Sequence, residues 1–146
     1  MKSKVSNNLY YTCALIEFIG RKTKNKRHMV VKFLGEEVIR HIFEYADVFH
    51  CEQIEAVAER FIQECKIENG SFDNVNDCKY TIPDYWSIGA VYQRLIENVD
   101  KTDLIKILIE VYNSWISGYI DDYNMAVYYM TPQYLKVCYE QGEILD

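Results

Sequence analysis

Arg21, Lys22, Lys24, Lys26 and Arg27 place five cations within seven residues. Charge at that density raises the local concentration of anions and can contact phosphates, with an affinity that falls as salt rises. The cluster belongs to a wider imbalance. The first 32 residues hold eight Lys and Arg against one acid, Glu17, a balance of +7; the remainder holds eight against 21, a balance of −13. An acidic body repels duplex DNA everywhere outside the patch. The basic 21–27 turn is therefore expected to meet an acidic protein face, with a nucleic-acid-associated regulator as the alternative. A helix-turn-helix built on Val31 and Gly35 is disfavoured, because Glu36 and Glu37 open its second helix where a DNA reader presents donors.

Aromatic residues form the second constellation. The chain has 13 tyrosines, and Tyr112, Tyr119, Tyr123, Tyr128, Tyr129, Tyr134 and Tyr139 fall within 28 residues, beside Trp115, Met125 and Met130. Tyrosine is amphipathic and enriched where one protein meets another. The stretch 119–130 fits a single helical stripe least well. Tyr119, Tyr123, Tyr128 and Tyr129 are therefore the expected partner-facing aromatics, the other tyrosines serving the core.

Other chemistry finds little support. The chain has no glycine-rich phosphate loop and no nucleophile-elbow serine. His41, His50, Cys51, Cys65 and Cys78 lack the close pairing of a structural zinc site, and Asp73, Val75 and Asp77 lack the glycine and glutamate that complete a calcium loop. No metal, cofactor or catalytic residue is expected. Asp47 and His50, three apart, read as a local polar contact at a helix break.

The elements that position these groups follow from hydrophobic periodicity. Leu9, Cys13, Ile16 and Ile19 mark a first helix that Gly20 can end; Met29 to Leu34 mark a second, stopped by Gly35; Val38, Ile39, Ile42 and Phe43 mark a third. After a break at 47–51, Ile54, Val57, Ala58, Phe61 and Cys65 form one stripe. Residues 67–83 are irregular. A fifth helix carries Ile88 to Val99, and a long sixth, N-capped by Asp100 or Thr102, is expected from Leu104 to Ile120, closed by Asp121-Asp122. Thr131-Pro132 opens a last helix that Gly142 stops.

The expectation is an all-α compact bundle of about six or seven helices. It forms a single domain over 1–146, divisible into subdomains 1–66 and 84–146 joined by 67–83. Five cysteines in odd number without a CxxC, no export signal and no apolar run of membrane-spanning length point to a cytoplasmic protein with reduced thiols.

Ala14-Leu15-Ile16-Glu17-Phe18, Tyr45, Asp47, Val48 and His50, and Ala56 through Ile62 carry a resemblance over about 50 N-terminal residues. The chain there resembles a family of small helical bacterial proteins often encoded beside predicted ADP-ribosyltransferase-like toxins. The resemblance implies an accessory or neutralising partner in a toxin–antitoxin setting, and no catalytic residues. The expected function is thus non-enzymatic protein–protein interaction, with another protein or with a second copy as a homodimer, and no membrane.

Overall fold

The computed structural model describes residues 3–145. Its elements are α1 (Lys4–Thr23), α2 (Arg27–Glu44), α3 (Ala46–Phe49), α4 (Ile54–Glu64), α5 (Tyr85–Val99), α6 (Leu104–Tyr112), α7 (Trp115–Ile120) and α8 (Pro132–Gln141), with a 3-10 turn at Val127–Tyr129. The fold is all-α, with eight α-helices and no strand among the described residues.

The central helix is α1. Leu9, Cys13, Ala14, Leu15, Ile16 and Ile19 are fully buried, and α1 packs on α5 along its length and on α2, α3 and α4 around its sides. Contact with α5 is close enough that a methyl at Gly89 would fall 2.8 Å from the Ala14 backbone nitrogen. One hydrophobic cluster joins Leu15 and Ile19 of α1 to Val30 of α2, Leu95 of α5, Leu108 of α6 and Leu135 of α8. The two halves of the chain therefore share a core.

Helix ends follow the residues that cap them. Ser3, Asp84, Asp103 and Thr131 each accept a first-turn N–H through the side chain. The cap of α6 is Asp103, not Asp100 or Thr102; Asp100 instead accepts from the Thr102 backbone, 2.8 Å away. Gly35 sits at φ 81, so α2 is two helical segments joined at a kink, as the sequence expectation of two helices implied.

Two boundaries differ from expectation. The long sixth helix is broken at Asn113-Ser114, where the Ser114 hydroxyl bonds back to the Val111 carbonyl at 2.7 Å. A side chain that competes for a helical carbonyl weakens the next turn, and this one separates α6 from α7. The first helix runs past Gly20 to Thr23, with Lys24 taking the left-handed C-cap at φ 56. Gly20 is small for another reason. A Cβ there would lie 2.4 Å from Cδ of Arg27, whose side chain crosses the helix at that point.

Candidate interaction surface

The turn after α1 disperses the five cations. Arg27 is fully buried. Its Nε donates to Glu17 Oε1 at 3.1 Å, one terminal nitrogen to the Asn25 carbonyl at 2.9 Å, and the other to Asn74 Oδ1 and the Tyr123 hydroxyl at 3.4 and 3.5 Å. Arg21 donates to the Pro83 carbonyl and to the Tyr123 hydroxyl, the latter at 3.2 Å, and lies over the Tyr123 ring. Lys22 pairs with Glu59 at 3.4 Å and Lys24 with Asp73 at 3.7 Å. Lys26 is exposed and enters no ion pair among the described residues. The basic N-terminal stretch thus meets acids of its own chain, and four of the five cations already have partners.

The irregular segment 67–83 is strapped over this turn. Gly70 and Phe72 donate backbone N–H groups to the carbonyls of Thr23 and Lys24 at 2.8 and 2.9 Å, and Asn25 Nδ2 reaches the Glu68 carbonyl at 2.7 Å. Buried Asn74 completes the strap by donating to the Asp121 carbonyl at 3.0 Å.

Behind the turn lies a sealed polar network. Glu17 receives the Tyr112 hydroxyl at 2.9 Å as well as Arg27. Tyr112 stacks on Tyr92, with ring centroids 3.9 Å apart. The Tyr92 hydroxyl in turn donates to Asp121 Oδ1 at 2.9 Å and lies 2.8 Å from the Ser117 hydroxyl. Burial pushes the Glu17 carboxyl up, against the pull of Arg27. Burial and then the Glu17 charge push Asp121 up to about 7. The phenols of Tyr92 and Tyr112 are also raised, first by burial. Burial works against the Arg27 charge, but Glu17 outweighs it and keeps the guanidinium protonated. These groups resemble acid–base chemistry, yet Glu17, Arg27, Tyr92 and Tyr112 have no exposed surface, and the main surface clefts are lined by other residues. Their arrangement is that of a satisfied buried ion pair.

The expected aromatic face divides. Tyr123 and Tyr128 are buried, whereas Tyr119 and Tyr129 are exposed, Tyr129 at 75%. Tyr119 packs edge-on against Trp115 in α7 and does not line the cleft that the others share. That cleft, about 370 Å³, is walled by Tyr80, Thr81, Tyr123, Met125, Tyr128 and Tyr129. Tyr128 sits between Tyr123 and Tyr129, with centroids 5.8 and 4.5 Å away. Asn124 ties the two walls together, donating to the Asp77 carbonyl and accepting from the Lys79 N–H at 2.9 and 2.7 Å. Tyr80, 69% exposed, supplies the opposite wall from the irregular segment. It was not among the sequence candidates; its signal was an isolated aromatic in Lys79-Tyr80-Thr81-Ile82, ahead of a proline that holds the chain extended.

Tyr123 links the two candidate surfaces. Its hydroxyl faces inward to Arg21 and Arg27, while its side chain lines the groove. Asp47 and His50 line a separate cleft of about 550 Å³ with Lys4, Asn8 and Tyr10. They do not bond to each other. Asp47 pairs with Lys4 at 3.5 Å and accepts from the Val48 N–H, while the His50 ring packs on Tyr11 and Trp86. Adjacent partners outcompete a contact three residues along.

Among the described residues no three His, Cys, Asp or Glu side chains converge on a metal position, and the five cysteines are free. No helix among them is long and apolar enough to cross a membrane. No family model, curated protein or solved structure matches the chain.

Proposed function

We propose that the chain is a non-enzymatic cytoplasmic protein-binding module whose contact surface is the groove between Tyr80 and Tyr129. The observation that carries this reading is an exposed aromatic wall on a rigid base. Tyr80, Met125 and Tyr129 face solvent, while behind them Tyr123 is buried and held by Arg21 and Arg27, and buried Tyr128 packs on the Tyr123 ring. Aromatic side chains held in place lose little entropy on binding and supply much of the contact area at interface hot spots. The resemblance of about 50 N-terminal residues to small helical bacterial proteins often encoded beside predicted ADP-ribosyltransferase-like toxins supports a neutralising or accessory role as the form of that binding.

Affinity capture with the wild-type chain, set against a Tyr80→Ala/Tyr129→Ala double variant, tests the proposal. A partner held by the wild type and weakened tenfold or more by the double variant is expected. Recovery of the same proteins by both baits would reject the groove. Size measurement at low and high salt separates a foreign partner from a second copy.

A further inference from the structure

Glu17, Arg27 and Asp121 put two carboxyl groups and one guanidinium in a region closed to water, at 0%, 0% and 4% exposure. One cation cannot neutralise two anions, and an unpaired buried carboxylate is costly. The hydrogen bonds decide which acid is left over. Arg27 gives Nε to Glu17, and its terminal nitrogens go to Asn25, Asn74 and Tyr123. Asp121 has the Tyr92 hydroxyl and the Arg27 backbone N–H, both neutral donors.

The groups facing Asp121 come from every surrounding element. They are Glu17 from α1, Arg27 from α2, Tyr92 from α5, Tyr112 from α6 and Tyr123 two residues along its own segment. Asn74 and Ser117 add neutral contacts to the Asp121 carbonyl and to Tyr92. Arg27 is the one cation that acts on Asp121 directly, and it is committed to Glu17; Arg21, also from α1, acts on Glu17 and donates to the Tyr123 hydroxyl. Asp121 is also the first residue of the 121–130 segment that supplies Tyr123, Met125, Tyr128 and Tyr129 to the groove.

We propose that this cluster stores one proton on Asp121, and that releasing it unlatches residues 121–130 and loosens the aromatic wall. As regulation of the groove, this rests on the reading of that groove as the contact surface.

The direction follows from proton linkage. In the closed form Asp121 keeps its proton up to about pH 7, whereas an exposed aspartate gives it up near 3.8. Between those values the closed form binds more protons than the opened one. Each unit of rising pH therefore shifts the balance toward opening, by about tenfold. Above about 7 both forms have lost the proton, and the effect levels off.

Hydrogen exchange on the intact chain, corrected for intrinsic rates, reads this opening. The amides of Met125, Tyr129 and Met130, bonded to the carbonyls of Asp122, Ala126 and Val127, report the segment. Their opening constants should rise about tenfold per unit from pH 5 to 7 and then flatten, while amides of α1 stay protected. In Asp121→Asn, whose carboxamide stands in for the protonated acid, the slope should vanish. A wild-type profile without slope, or the same slope in the variant, overturns the proposal. If the variant does not fold, titration of the Asp121 carboxyl carbon by NMR decides: a midpoint near 7 supports the stored proton, and one below 5 removes it. A segment that loosens as described while the double variant captures the same proteins as the wild type would reject the contact-surface reading alone.

Discussion

The basic turn at 21–27 and the aromatic segment at 119–130 both stand out as surfaces in the sequence, and the fold treats them oppositely. The turn is pulled inward, with Arg27 buried, Arg21 covered and two lysines paired. The aromatic segment is split, with Tyr123 and Tyr128 inside and Tyr129 and Met125 left in solvent. The difference lies in what each residue type can do when half enclosed. A guanidinium brought under cover needs a carboxylate and several acceptors, and Glu17, Asn25 and Asn74 supply them. A tyrosine needs one partner for its hydroxyl and can leave its ring half in water. Dense charge in a sequence can thus mark the most interior part of a fold.

The contrast can be broken first at its interior end. Arg27→Ala leaves Glu17 buried without its cation and is expected to cost about 3–5 kcal/mol in chemical denaturation. Asp121→Asn should act in the opposite sense at pH 8. An acid whose folded value is raised above its unfolded one is stabilising at low pH and loses ground as pH rises from about 4 to 7, so removing its charge should gain roughly 4 kcal/mol there and nothing near pH 4. Asp100 and Asp103 run the other way: hydrogen bonds accepted from the Thr102 backbone N–H and from Arg40, respectively, hold them low. Their contribution fades only below the ordinary aspartate range.

Gly20→Ala comes next. It sets a methyl against the Arg27 side chain and should cost about 1–3 kcal/mol, with a loss in double-mutant coupling to Arg27→Ala. On the exposed side, Tyr129→Ala should leave stability nearly unchanged and weaken partner binding about tenfold. The smallest effect belongs to Lys26→Ala, within about 0.5 kcal/mol in stability. Its effect on DNA or RNA affinity at low salt should be negligible, and a steep salt-dependent loss there would restore the basic turn as a phosphate surface.

Hydrophobic spacing made most helices legible, along with the kink at Gly35, the Thr131-Pro132 start and the Gly142 stop. Those signals are local, and the helices formed where they pointed. The end of α1 was misplaced because Gly20 answers to a side chain seven residues away, across a turn. The network was hidden for the same reason. Glu17 and Arg27 are ten residues apart on different helices, and Tyr92, Tyr112 and Asp121 join them only through packing. One clue was present: Glu17 is the lone acid of its region and sits among apolar residues on the face that became the core. Tyr80 was obscured by the irregular segment around it, whose path is fixed by backbone bonds to Thr23 and Lys24 rather than by a pattern of its own.

The notch at Gly20 makes the hairpin between α1 and α2 intolerant of length change. Surface connections usually accept an inserted residue at small entropic expense. Here Arg27 lies across the Gly20 backbone to reach Glu17, and the strap at Gly70 and Phe72 is bonded to the same short span. An extra residue at 24–26 would push the guanidinium past both its notch and its acid and leave the strap out of register. The chain can vary in length where it is loosely held, but this turn has one permissible length.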